Sequence, residues 1–245
     1  MPKSIRNRQT LSHKVALITG ASRGIGLAIA RALAAEGCHL ILAGRALPAL
    51  EKAGRELTRR GIRVLAKTCD VRHPDSVHAL AASAKKHFRR VDILINNAGI
   101  AHPSIPVESL PYETWKGVID TNLTGTFLVS REVLPLMRRG GTIVNNLSIA
   151  ATQVFAGASA YNASKHGALG LTNTLREELR AKGIRVIALL PGATDTKIWN
   201  TLWPDAPRKK MMSAETVARA VVSALKLPSN STVEELKILP SAGTL

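Results

Sequence analysis

Residues 15–26 read VALITGASRGIG, and residues 27–37 continue as LAIARALAAEG. The run Val15 to Thr19 is short, apolar and unbroken, as a strand buried on both faces requires. The later residues space their apolar side chains for a helix. Between the two, Gly20, Gly24 and Gly26 punctuate a turn that also holds Ala21, Ser22, Arg23 and Ile25. Glycine there permits a tight turn, a close backbone approach and tight helix–strand contact. A helix opening directly after the turn offers unpaired N–H groups and the positive end of its dipole, a combination that favours phosphate. A glycine-rich turn alone says little. Its position between strand and helix makes Gly20, Ser22, Arg23, Gly24, Ile25 and Gly26 candidates for holding a pyrophosphate.

Outward from this turn the alternation continues. Strand-like runs recur at 39–43 (HLILA), 63–67, 91–95 (VDILI), 141–146 (GTIVNN), 184–190 (IRVIALL) and 235–239. Helical stretches separate them at 47–60, 74–88, 112–137, 159–181 (ended by Gly183) and 214–225. No linker, composition break or internal repeat intervenes. The pattern predicts an α/β fold with one Rossmann-like domain over residues 14–245: a doubly wound parallel sheet of about seven strands, helices on both faces. Residues 1–13 are basic and polar and read as a flexible N-terminal arm. In such sheets ligands bind beyond the carboxyl ends of the strands.

Folds of this kind that take NAD(H) carry an acid near the end of the second strand, about 20 residues past the glycine turn, to receive the adenosine ribose hydroxyls. Here the stretch is Leu40-Ile41-Leu42-Ala43-Gly44-Arg45, with no carboxylate. Arg45 is placed to fork onto a 2′-phosphate, and Arg23 in the turn can reach the same group. An arginine at a strand end is often merely solvated. Two of them with the acid missing favour NADP(H) over NAD(H).

Ser148 follows the fifth strand, Tyr161 comes thirteen residues later, and Lys165 four beyond it. Positions i and i+4 share a helix face, so tyrosine and lysine point into one space, where Ser148 can meet them at the sheet edge. Carbonyl reduction needs a proton donor to oxygen as hydride reaches carbon. A free tyrosine titrates near 10, and an adjacent ammonium is expected to lower that value. Ser148 would hydrogen-bond the substrate oxygen. Taken alone, Tyr-x-x-x-Lys is common and signifies nothing.

Taken together, Thr19-Gly20-x-x-x-Gly24-x-Gly26, Asn96-Asn97-Ala98-Gly99, Ser148 with Tyr161-Asn162-Ala163-Ser164-Lys165, and Pro191-Gly192 resemble the short-chain dehydrogenases/reductases, from Val15 to about Thr196. The resemblance implies Tyr161 as acid/base, Lys165 lowering its pKa and holding the nicotinamide ribose, and Ser148 orienting the substrate oxygen. It implies Asn122 as support for a proton-relay water. It further implies cofactor contacts from Asp70 and Val71 at adenine, from Asn96, Ala98 and Gly99 on the adenosine side, and from Pro191, Gly192, Thr194 and Thr196 at the carboxamide. The segment Asp195 to Met212 matches the family's substrate lid; Trp199 and Trp203, with Phe155, are candidates for an apolar pocket wall. Arg208, Lys209 and Lys210 suit an anionic substrate tail, but solvation explains them better. Leu147 departs from the family's usual small residue before the serine. A homo-dimer or homo-tetramer built on the helices near Asn122 and Tyr161 is implied as well.

Composition bounds the partners. Thirty-four Lys and Arg against 17 Asp and Glu give a net charge of +17 over 245 residues. Such a surface attracts polyanions in general. The basic clusters stand apart, however, and aromatics are only 3%, which disfavours nucleic acid. Cys38 and Cys69 have no metal-ligand spacing, no apolar run reaches bilayer length, and a reduced cytoplasmic setting is expected, with no metal. The expected activity is hydride transfer between NADP(H) and a small-molecule carbonyl or alcohol. The alternative is reduction of 3-oxoacyl groups on acyl carrier protein, whose acidity suits the basic surface. A non-catalytic NADP-sensing or nucleic-acid-binding protein is the third reading, disfavoured by the complete Asn122, Ser148, Tyr161 and Lys165 set.

Overall fold

The strand β1 (Val15–Thr19) is buried at every residue, because it lies mid-sheet with helices above and below. In the computed structural model, which describes residues 10–243, its side chains alternate between two cores. Ala16 and Ile18 join one with Leu40 and Leu42, while Val15 and Leu17 join the other with Ile41 and Ala43. That is the period-two alternation of a strand serving two layers.

Six further strands run parallel to it: β2 (His39–Gly44), β3 (Val64–Thr68), β4 (Ile93–Asn96), β5 (Thr142–Asn146), β6 (Arg185–Pro191) and β7 (Glu235–Ile238). Their order is β3-β2-β1-β4-β5-β6-β7, with Val15 beside His39 on one side and Ala16 beside Ile93 on the other. The chain winds one way from β1 to β3, then crosses back to β4. The gap this reversal opens at the carboxyl edge between β1 and β4 is where a doubly wound sheet receives ligands.

Helices α1 (Gly24–Ala35), α2 (Leu47–Thr58) and α8 (Ala214–Leu225) cover one face; α3 (Pro74–Phe88), α5 (Gly125–Val133) and α6 (Ser159–Arg180) cover the other, with α4 (Tyr112–Ile119) beside α6. Gly183, at φ +67, turns the chain after α6 as expected. A short helix α7 (Trp199–Leu202) lies in the segment after β6. None of the described helices is long and apolar enough to cross a membrane.

One expectation is corrected. The continuous helix expected over 112–137 is broken by a π-helical turn at Asp120–Thr124 and ends in a 3-10 turn at Leu134–Leu136. The Thr121 and Thr126 hydroxyls donate to the carbonyls of Gly117 and Asn122, and Pro135 has no N–H to continue the ladder. Wide π-turns of this kind recur at functional sites, and this one holds Asn122. Of the expected N-terminal arm, residues 1–9 lie outside the described residues, and Leu11 is buried against the core.

Candidate active site

Six strand ends open into one cleft of about 910 Å³. Gly20 lines it after β1, Arg45 after β2, Asp70 after β3, Asn97 to Gly99 after β4, Ser148 after β5, and Pro191 to Thr194 after β6. Each sits there because its strand stops and the chain must turn, which leaves backbone and short side chains facing the opening.

The glycine turn is shaped by close approach. Gly20 adopts φ +63, and a Cβ there would lie 3.0 Å from Ala98 Cα. A Cβ on Gly26 would meet the Gly20 carbonyl oxygen at 2.5 Å, so Gly26 seats α1 against the turn rather than lining the cleft. Helix α1 has no side-chain cap and no acid in its first turn. Its leading N–H groups are thereby left for an anion. Arg23 and Arg45 are both exposed on the cleft, and neither joins an ion pair among the described residues. No carboxylate lies between them at the end of β2. Asp70 is gripped by Arg72 through contacts of 2.6 to 3.1 Å, and this pairing holds its carboxyl down at about 2. Val71 packs beneath, against Gly125.

At the other end of the cleft, Ser148, Tyr161 and Lys165 converge. Ser148 caps a 3-10 turn, its Oγ accepting the Ala150 N–H at 3.1 Å. With that lone pair used, the hydroxyl hydrogen remains to donate, to Tyr161 or to a substrate oxygen. Lys165 is 6% exposed, donates to the Asn146 carbonyl at 3.1 Å, and lies 5.6 Å from the Tyr161 ring centroid. Burial lowers its pKa to about 8. Burial raises the Tyr161 pKa, with the Ser148 hydrogen bond opposing it. The expected lowering of Tyr161 by Lys165 is therefore absent in the protein alone. Both groups occupy the same water-poor pocket, where each charge is disfavoured, and the ammonium is held at a backbone carbonyl.

Asn122 is held at the back of the site. It is 2% exposed and stands behind the lining. Its Oδ1 accepts from Ile100 N, and its Nδ2 donates to Ile100 O and Ser164 Oγ, at 2.9 to 3.0 Å. Ser164 in turn donates to the Tyr161 carbonyl at 2.8 Å. The side chain thus fixes the loop after β4 against the helix that carries Tyr161; both amide hydrogens are used, and Oδ1 keeps one lone pair.

Asn96 is likewise not on the cleft. Strand β4 turns it inward, where Nδ2 donates to Ser130 Oγ and Asn145 Oδ1, both at 2.9 Å, and Asn145 donates to Thr172. This buried ladder joins α5, two strands and α6. Asn145→Ala is expected to cost about 1–3 kcal/mol through the partners it strands; urea unfolding measures this, and an unchanged midpoint would exclude a stabilising role. The next residue, Asn97, does face the cleft. Its Nδ2 donates to Thr19 O and Gly20 O at 2.9 and 3.2 Å, and its Oδ1 accepts from Asn146 at 2.8 Å. Asn97 and Asn146 thus tie the glycine turn to the strand end that holds Lys165. Strand alternation could have separated Asn96 from Asn97 in advance; Asn146 had no comparable signal.

The remaining candidates line the cleft: Ser22, Gly24, Ile25, Ala98, Gly99, Gly192, Thr194, Thr196, Phe155, Trp199 and Trp203. The segment 195–212 leaves and returns at one point, closed by a Thr194–Met212 bridge. Trp199 Nε1 donates to Thr194 O at 2.9 Å. Arg208 pairs with Asp195 at 3.0 Å and also holds Thr196 O and Asn200. It is thus neither merely solvated nor set out for a substrate tail: it clasps the lid.

Comparison with known proteins agrees with this geometry. The family model described as short chain dehydrogenase matches residues 14–207. A putative ketoacyl reductase of Streptomyces coelicolor is 41% identical over 191 residues, covering 76% of this chain and 73% of its own. An alcohol dehydrogenase from the archaeon Thermococcus sibiricus, complexed with 5-hydroxy-NADP, superposes with TM-score 0.88 at 33% identity, covering 94% of this chain and 97% of its own. A variant of actinorhodin polyketide ketoreductase with NADPH gives TM-score 0.83 at 33% identity, over 96% of this chain and 99% of its own.

Proposed function

This chain belongs to the short-chain dehydrogenase family, and on that premise we propose that it is an NADP(H)-dependent oxidoreductase interconverting a carbonyl and an alcohol, with Tyr161 as acid/base. One observation carries the reading: Ser148, Tyr161 and Lys165 meet at one end of a cleft whose other end is a glycine turn flanked by two unpaired arginines. The turn fits a dinucleotide, since a Cβ at Gly20 would fill the space against Ala98. Arg23 and Arg45 would hold a 2′-phosphate, and the two solved relatives described above are complexes with NADPH or an NADP derivative. Asp70 and Val71 would flank adenine, Lys165 the nicotinamide ribose, and Pro191 to Thr196 the carboxamide.

Bound there, the cofactor supplies or accepts the hydride. The chain does the rest. Ser148 donates its hydroxyl hydrogen to the carbonyl oxygen and holds it in line. Tyr161, kept neutral by burial, gives that oxygen its proton as the carbon is reduced. The phenolate left behind is stabilised by Lys165, which is mostly an ammonium at pH 7 because it titrates at about 8. The apolar wall of Phe155, Trp199 and Trp203 excludes water and strengthens each of these interactions. A neutral tyrosine suits reduction better than oxidation.

A second reading is favoured by the match to a putative ketoacyl reductase and by the net charge of +17: the carbonyl arrives as a 3-oxoacyl group on acyl carrier protein. NADPH oxidation over ketones, aldehydes and 3-oxoacyl thioesters tests both. Turnover of free ketones supports the first reading. Turnover only of the carrier-borne thioester, suppressed by salt, supports the second. No turnover with NADPH bound would contradict both. We further propose a cytosolic setting, which suits the buried free thiols Cys38 and Cys69, and a homo-oligomer built on the helices near Asn122 and Tyr161, where Phe127 of α5 is exposed.

A further inference from the structure

His102 is a buried side chain that the mechanism above leaves unused. It is 2% exposed, yet it lines the cleft that holds Ser148, Tyr161 and Lys165. Its Nδ1 lies 2.7 Å from the Pro103 carbonyl oxygen. That oxygen only accepts, so Nδ1 carries a hydrogen, and in the neutral ring Nε2 is a lone-pair acceptor. Nε2 is buried and has no hydrogen-bond partner. A sealed acceptor is costly to leave unpaired, and such an atom calls for an explanation.

The loop around His102 is tied to the segments that carry the chemistry. Before it, Ile100 is pinned to Asn122 by two bonds of 2.9 Å. After it, Ile105 N donates to the Gly157 carbonyl at 2.9 Å, four residues ahead of Tyr161. Among the described residues, no hydrogen bond joins residues 101–104 to another element. The loop is therefore hydrogen-bonded to other elements only at its two ends, and a ligand that reaches Nε2 must shift the segment between them. The lining it shares also includes the apolar Leu147, Phe155, Trp199 and Trp203. An acceptor set in an apolar wall discriminates strongly, because a ligand lacking the matching donor leaves it unpaired.

We propose that His102 is a specificity-determining substrate contact: Nε2 accepts a hydrogen bond from a donor group close to the reacting carbonyl, so the substrate class is a hydroxy ketone or a carbonyl compound with an equivalent donor. This rests on the reductase reading above. Ser148 and Tyr161 take the carbonyl oxygen, and His102 takes the neighbouring hydroxyl.

The test uses matched pairs: α-hydroxyacetophenone against propiophenone, and a β-hydroxy ketone against its alkyl isostere. For each pair kcat/KM with NADPH is measured in wild type, His102→Phe and His102→Gln. Phenylalanine keeps the ring and removes the acceptor; glutamine keeps an acceptor near Nε2. Intrinsic differences in ketone reactivity cancel between enzymes. Selectivity for the hydroxy member in at least one pair is expected to fall about tenfold or more in His102→Phe and to return in part in His102→Gln. Unchanged selectivity in His102→Phe for both pairs would overturn the inference and leave the reductase reading standing. If wild type reduces neither member of either pair but turns over another carbonyl of the panel above, the inference falls and the reductase reading stands; if it turns over none of that panel, both fall. Should His102→Phe not fold, His102→Leu against His102→Gln reads the same ratio.

Discussion

Tyr161→Phe is expected to lower kcat/KM by about 10²–10⁴-fold, the range for removing a general acid. The substitution is narrow. It keeps the ring that packs against Lys165 and removes only the hydroxyl. NADPH affinity should stay within about twofold, because the glycine turn, Arg23 and Arg45 lie at the far end of the cleft. Steady-state kinetics and fluorescence titration on one preparation separate the two quantities. A variant with ordinary turnover would remove Tyr161 from the chemistry, whereas loss of NADPH binding would make its role structural. The pH profile adds a sign. Reduction requires the phenol protonated and the lysine charged. Since Lys165 loses its proton through about 8, the rate should be level below that value and fall above it.

Lys165→Met should separate activity from stability. Turnover is expected to fall at least about 10²-fold, since the phenolate loses its counter-ion. The folded protein should gain about 1–2 kcal/mol at pH 7, or about 2–6 °C in Tm. Lys165 has a folded pKa near 8 against an ordinary 10.5, so between those values the unfolded chain binds a proton that the folded one has released. Stability therefore rises with pH across that window in wild type, and below it the full cost of burying the ammonium persists. Methionine fills the space without the charge, leaving the Asn146 carbonyl without its Lys165 partner, which offsets part of the gain. The pH slope between 8 and 10.5 should flatten in the variant. Equal or lower Tm at pH 7, with the slope unchanged, would show that Lys165 is not the destabilising charge.

These two side chains were legible in the sequence because helical spacing puts them on one face, and Ser148 because a strand end exposes it. β1 and its glycine turn were legible for a similar reason: an unbroken apolar run and a tight turn are local properties. What escaped was set by packing across the chain. The π-turn at Asp120–Thr124 depends on the loop after β4 engaging Asn122, twenty-two residues away from Ile100. The inward turn of Asn96 depends on Ser130, Asn145 and Thr172 waiting for it. Arg208 has the composition of a solvated cluster and becomes a clasp only once the lid folds back. The direction of the Tyr161 shift reflects burial of tyrosine and lysine together, which spacing along a helix does not report.

Equilibrium binding of NADPH and NADH, by fluorescence, to wild type and to Arg45→Ala addresses the central claim most directly. NADPH binding at least about tenfold tighter than NADH, with that preference lost in the variant, is the predicted result. Equal or NADH-favoured binding would contradict the assignment of Arg23 and Arg45 to a 2′-phosphate, and binding of neither would contradict the dinucleotide cleft itself.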